Sequence, residues 1–256
     1  MMKKILVGVA VVLVALGIVY AYGAITAPPV GAGGPETVGI LYAKGVGPLP
    51  MLLATNQVDG YIAWQPFVEI APLSGIGKVV TYSGDLPPDD TWKNHPQNVF
   101  VARDDFAAAN PGIVTALTAL TVVSDRYITD HPSEAARITA DWLAGGGNFT
   151  YGNVSVSSVV TMERAIPTII YTTDPSPEWI SGTKKFITAQ ADLGYVTGIL
   201  KNSSPGQQDA ILFNFGPYQE ATRELGANQI ATPRAVTTPI GFGYLLAADH
   251  AALFVA

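Results

Sequence analysis

"ATNQVDGYIAWQPF", residues 54–67, decides how the rest of the chain is read. An apolar run ends at Ala54, and the polar pair Asn56-Gln57 follows it, which reads as a helix end and a tight turn. The next residues, through Tyr61, Ile62 and Trp64, are rich in β-formers and read as a short buried strand. Trp64-Gln65-Pro66-Phe67 closes the stretch, and Pro66, with fixed φ and no N–H, ends any ladder there. An indole and an amide therefore follow a strand's carboxyl end, the place where α/β sheets hold their ligands.

Outward from this stretch the pattern repeats. Residues 37–43, "TVGILYA", predict a strand, "KGVGPLP" a glycine loop, and residues 48–55 a helix. "GKVVTYS" (77–83) and "QNVFVAR" (97–103) predict two further strands, separated by the polar loop "GDLPPDDTWKNHP". A long helix is marked by Asn110 as N-cap and Pro111 at its first position, with apolar residues at Ile113, Leu117, Leu120 and Val123. A second opens at Pro132 and stops at Gly145, and others are predicted over 157–166, 178–193 and 216–226. Strands alternating with helices predict an α/β layer structure with a mostly parallel sheet flanked by helices.

At 256 residues and 48% hydrophobic content, the chain can bury a sizeable core. Its net charge of -6, from 14 basic and 20 acidic residues, argues against a nucleic-acid partner. No cysteine is present, which excludes disulfides, thiolate catalysis and cysteine zinc sites together. His95, His131 and His250 are far apart in sequence, so neither a metal nor a cofactor is expected. No Gly-x-Ser-x-Gly elbow occurs, and Asp89-Asp90 fall in a Pro-rich loop where solvation is the expected state. No catalytic residue is expected.

Met1-Met2-Lys3-Lys4 leads into an uncharged apolar run from Ile5 to Ile25, about the 20 residues that a bilayer core demands of a helix. It reads either as a cleaved export signal with Ala21-Tyr22-Gly23 as its small-residue site, or as a retained anchor followed by the linker "TAPPVGAGGP". Its length favours the anchor. Both readings place the remainder outside the cytoplasm, in keeping with sequons at Asn148, Asn153 and Asn202. The expected organisation is a signal or anchor over 1–27, a linker over 28–36, and a lobe over 37–230. An incomplete further segment then fills 231–256.

"LLATNQVDGYIAWQPFVEIAPLSGIGKVV" and "HPQNVFVARDDFAAANPGIVTALTAL" resemble the second lobe of solute-binding proteins of ABC importers. The type is the nitrate, sulfonate and taurine one, with the periplasmic-binding-protein type II fold. The resemblance departs at Asn56-Gln57, where a glycine turn is usual, and at Gln65, where a glutamate is usual. "PIGFGYLLAADHAALFVA" (239–256) resembles the opening strand and helix of the same family's first lobe, in permuted order. The resemblance implies a two-lobed binder of a small polar or anionic solute that docks on ABC permease subunits and makes or breaks no bond. Trp64, Gln65, Lys44, Gly47, Tyr61, His95, Asp249 and His250 are the expected ligand-binding residues. Two rivals stand beside it: a surface-anchored or vestigial fragment that binds nothing, and a thiamine-pyrimidine synthase-like enzyme, against which the missing cysteines count.

Overall fold

The structure, a computed structural model, describes residues 38–88, 92–93, 96–228 and 239–256. The apolar amino-terminal run and His95 lie outside the described residues. Among those described, no helix is long and apolar enough to cross a membrane. The chain divides into two compact units, residues 1–61 and 62–256.

In the first unit, α1 (Leu49–Ala54) follows the glycine loop. Its carboxyl end is closed by the Thr55 hydroxyl, which donates to the Met51 carbonyl at 2.8 Å, and by the Gln57 amide, which donates to the Leu52 carbonyl at 2.9 Å. Asn56 makes this turn at φ 54°, a left-handed conformation that asparagine tolerates better than most residues. That is why Asn56 can stand where the resembling family has glycine.

The second unit is mostly helical. It contains α2 (Phe67–Leu73), α3 (Asp104–Ala109), α4 (Pro111–Asp130) and α5 (Pro132–Ala144). A hairpin of β1 (Asn148–Tyr151) and β2 (Val154–Ser157) comes next. Then follow α6 (Ser158–Ala165), α7 (Pro177–Asp192), α8 (Gly198–Lys201), α9 (Pro205–Leu212), α10 (Gly216–Gly226) and α11 (Ala251–Val255). The predicted helices fall where their punctuation puts them. Pro111 opens α4, Gly145 ends α5 at φ 57°, and the Ser157 hydroxyl accepts from the Val160 amide to cap α6. Asn110 stands at the N-cap of α4, but its side chain donates backward to the Phe106 carbonyl, closing α3 in place of capping α4.

The core is built on small residues. Ala135, Ala136, Thr139 and Ala140 of α5 are sealed, and α6 presents Thr161, Met162 and Ala165 to them, so the two helices approach closely. Helix α4 turns Ile113, Val114, Ala119, Val122 and Ile128 inward and packs against α10 and α11. The carboxyl-terminal α11 also lies on α5, where Phe254 stacks on Trp142 with ring centres 5.5 Å apart. Residues 239–256 therefore belong to the same compact unit as the helices.

The parallel sheet does not form among the described residues, and this corrects the fold expectation. The sheet observed there is the antiparallel hairpin β1-β2, with Phe149 opposite Val156 and Tyr151 opposite Val154. Its two-residue turn places Gly152 at φ 62°, a Gly-Asn hairpin signal that the reading of the sequence passed over. Residues 38–43, 58–64, 77–82 and 97–103 join no ladder. Val80 is 89% exposed and Val101 79% exposed, so their β-branched side chains meet water. High β-propensity describes a residue that fits a pleated, half-buried surface, and it cannot supply the neighbouring strand.

Candidate functional site

The turn that opens α2 begins with a Phe67 amide donating to the Trp64 carbonyl at 3.0 Å, and Gln65-Pro66 is a cis peptide. The Gln65 side chain turns inward, and the residue is only 6% exposed. Its Nε2 donates to Thr168 Oγ1 at 2.9 Å and to Glu69 Oε1 at 3.2 Å. Glu69, four residues on and 2% exposed, also accepts from the Tyr82 hydroxyl at 3.0 Å. Its other oxygen, Oε2, meets Arg164 Nε at 3.1 Å. Burial of the Tyr82 phenol and its bond to Glu69 raise its pKa. Gln65 thus spans α2 and the turn after α6, and it gives the buried carboxylate one of its donors. Gln65 Oε1 is left with no partner.

A second strand of the chain crosses this turn. The Ala248 amide donates to the Gln65 carbonyl at 3.0 Å, and the Tyr171 hydroxyl donates to the Ala248 carbonyl at 2.8 Å. Beside them stands Asp249, whose carboxylate accepts from the Asn98 side chain and is pushed up to about 6 by burial. Asp125, on the inner face of α4, accepts from Thr173 and is likewise pushed up to about 6 by burial. Burial raises the Tyr171 phenol first, and the nearby charges of Asp249 and Asp125 raise it further. Asp249 Oδ1 and Asp125 Oδ2 have no hydrogen-bond partner. His250 Nδ1 accepts from the Leu245 amide at 3.2 Å, and burial lowers its pKa below the ordinary imidazole value.

The structure brings Gln65, Asp249 and His250 to one place from opposite ends of the second unit. Trp64 adjoins them and is 36% exposed. Lys44, Gly47 and Tyr61 belong to the first unit, where Lys44 takes φ 56° and Gly45 φ 138° in the exposed glycine loop. His95 falls outside the described residues. Asp125, Tyr171, Glu69 and Arg164 were not singled out from sequence. Glu69 carried a signal all the same: it is the acid beside Ile70 and Ala71 on the helix face that goes inward.

Two hollows lie elsewhere. One of about 780 Å³ runs along α7 and is lined by Trp92, Ile180, Lys184, Lys185 and Thr188 among others. The other, about 430 Å³, is lined by Ala107, Pro111, Asn214 and Glu220 among others, between the start of α4 and the start of α10. Trp64 lines neither. Among the described residues, no group of three or more His, Asp or Glu could hold a metal ion.

The chain is similar to the NMT1-like family over residues 46–144, which is less than half of its length. That span takes in the Trp-Gln-Pro-Phe turn, α2 to α5 and Asp125. No curated protein and no solved structure matches the chain.

Proposed function

We propose that this chain is the extracytoplasmic solute-binding component of an ABC importer, carried outside the cytoplasm by its apolar amino-terminal segment. The observation that carries the reading is the match to the NMT1-like family over residues 46–144, a family compatible with solute-binding proteins of this kind. On this reading the fold is periplasmic-binding-protein-like, and ABC permease subunits are its partners. The chain binds a small polar solute and performs no bond chemistry on it. Affinity comes from partial enclosure and a few aimed hydrogen bonds. Trp64 supplies a rigid apolar wall at low entropy cost. Gln65 sets the turn, and Asp249 and His250 complete the edge. Lys44, Gly47, Tyr61 and His95 are candidates by residue type and family resemblance alone.

A thermal-shift screen against nitrate, taurine, alkylsulfonates, bicarbonate, aminopyrimidines and small amines tests the reading, since a ligand that binds only the folded form raises apparent stability. With any hit, Trp64→Ala is expected to weaken binding at least tenfold in a calorimetric titration, whereas Asp104→Ala leaves it unchanged. Equal effects of the two changes would remove Trp64 from the ligand wall. A second reading, a surface fragment that binds nothing, draws on one observation: residues 77–82 and 97–103 keep strand-type sequences without a sheet. A screen with no hit at millimolar ligand favours that reading.

A further inference from the structure

Asp59-Gly60 is the one place in the 256 residues where an aspartate precedes a glycine, and no asparagine does so. Both residues are exposed, and neither belongs to a helix or to the hairpin. Among the described residues, the Asp59 carboxylate makes no hydrogen bond or ion pair, and the Gly60 amide donates to nothing. A Cβ placed on Gly60 would meet nothing within 4 Å, so the space beside its nitrogen is open. Elsewhere the chain ties down amides in comparable positions. At Asp130-His131 the His131 amide donates to the Tyr127 carbonyl at 2.8 Å. At Asn202-Ser203 the Ser203 amide donates to the Leu200 carbonyl at 3.4 Å, and Asn202 Nδ2 donates to the Gly198 carbonyl at 3.2 Å.

An amide committed to a helix turn or a ladder is held away from its neighbour's side chain, whereas glycine, with no Cβ, reaches the widest range of φ and ψ. We propose that Asp59-Gly60 is a covalent modification site, at which the backbone isomerises spontaneously in the folded protein. The Gly60 nitrogen bonds to the side-chain carboxyl carbon of Asp59. A C–O bond breaks at that carbon, and the oxygen leaves as water with the amide proton and the carboxylic acid proton. A five-membered cyclic imide remains, and one water adds back at either of its carbonyls. Opening at the former side-chain carbonyl restores aspartate. Opening at the Asp59 backbone carbonyl runs the main chain through the side-chain carboxyl, lengthens it by one carbon and leaves the old backbone carboxyl as the free carboxylate. Charge is conserved, and no oxidant, cofactor or enzyme enters the balance. The fold has room for the extra carbon, since residues 58–64 join no ladder. The turn that follows is pinned separately, by the Phe67 amide on the Trp64 carbonyl and the Ala248 amide on the Gln65 carbonyl. The altered residue therefore accumulates in protein that stays folded, whether or not the chain binds a solute.

Incubation of the full chain at pH 7.4 and 37 °C tests the proposal, with a synthetic peptide of residues 54–67 beside it as the unfolded reference. Peptide mapping with electron-transfer fragmentation locates the β-linked residue, and methyl transfer from S-adenosylmethionine by an isoaspartate methyltransferase counts it. β-linked Asp59 is expected to form in the folded chain at no less than about a fifth of the peptide's rate, and faster than any product at Asp130 or Asn202. Gly60→Ala, which the open space tolerates, should slow it at least about fivefold by crowding the nitrogen. Asp59→Glu, whose imide would need a six-membered ring, should abolish methyl transfer at this position. The thermal midpoint of the aged protein should stay within about 2 °C of the fresh protein's. A rate in the folded chain below about a fifth of the peptide's overturns the assignment, as does faster reaction at Asp130 or Asn202. Methyl acceptance that Asp59→Glu leaves undiminished overturns it too, and a larger fall in the midpoint overturns the fold's tolerance of the change.

Discussion

The helices α4, α5 and α6 and the segments 77–82 and 97–103 lie in the same unit, and both are rich in apolar residues, but only the helices bury them. Met162, Ala135 and Ala140 are sealed, whereas Val80, Val99 and Val101 are mostly in water. A helix satisfies its backbone within itself and needs from its neighbours only a surface to pack on. A strand must borrow its hydrogen bonds from another strand, so the same apolar content gives a core in one region and an open surface in the other. Packing in this molecule follows hydrogen-bond self-sufficiency more closely than hydrophobicity.

The sharpest way to break that comparison is to empty the helical core. Ile128→Ala and Met162→Ala remove side chains that are at most 1% exposed, and each is expected to cost about 2–5 kcal/mol in chemical denaturation. A loss below about 1 kcal/mol would mean that the helical region is as loosely held as the exposed segments.

The buried polar groups give smaller effects, of both signs. Arg164→Met leaves Glu69 without its cation, and because the guanidinium is half exposed the expected loss is about 1–2 kcal/mol. For Asp125 and Asp249 the sign reverses. Their folded pKa of about 6 lies above the ordinary carboxylate value of 3.8, so the fold prefers the protonated acids. The stability this supplies is complete below about pH 3.8 and is lost as pH rises through 6. Their surroundings reinforce this direction, since Tyr171, Thr173 and Asn98 carry no charge at these pH values and burial disfavours the charged form of His250. Asp125→Asn, free of that charge, is expected to stabilise the ligand-free protein at pH 7.5 by about 1–2 kcal/mol and to do so much less at pH 4.5. Thermal unfolding at the two pH values measures it, and a flat profile would show the carboxylates to be solvated.

Ser176, whose hydroxyl accepts from the Trp179 amide at 3.2 Å, caps α7, so Ser176→Ala should cost about 1 kcal/mol in denaturant. The smallest effects belong to the open segments. Val80→Ser and Val101→Ser should stay within about 0.5 kcal/mol of the parent, as surface substitutions do. A larger loss in either would reveal a packing partner for these residues, and the contrast between the two regions would then narrow.

Helix positions were legible in the sequence because their signals are local: Pro111, Pro132 and Gly145 mark boundaries that the structure keeps within a residue or two. The sheet was not, because a strand depends on partners distant in sequence that no local pattern contains. The candidate site divides the same way. Trp64, Gln65, Asp249 and His250 stood out by residue type and by family resemblance. Their convergence rests on a bond from Ala248 to Gln65 that no spacing rule encodes. Asp125 stayed hidden because an acid on a helix reads as a solvated face until α11 is packed over that helix.

The bond between Ala248 and Gln65 also sets an order in time. A ribosome releases the helices of the second unit one after another, and each can begin to pack on those already made, but the Trp-Gln-Pro-Phe turn must wait for almost the whole unit before Ala248 reaches it. That turn is thus completed late in synthesis of the unit, and a nascent chain arrested before Ala248 would have a helical body whose Gln65 carbonyl still lacks this partner.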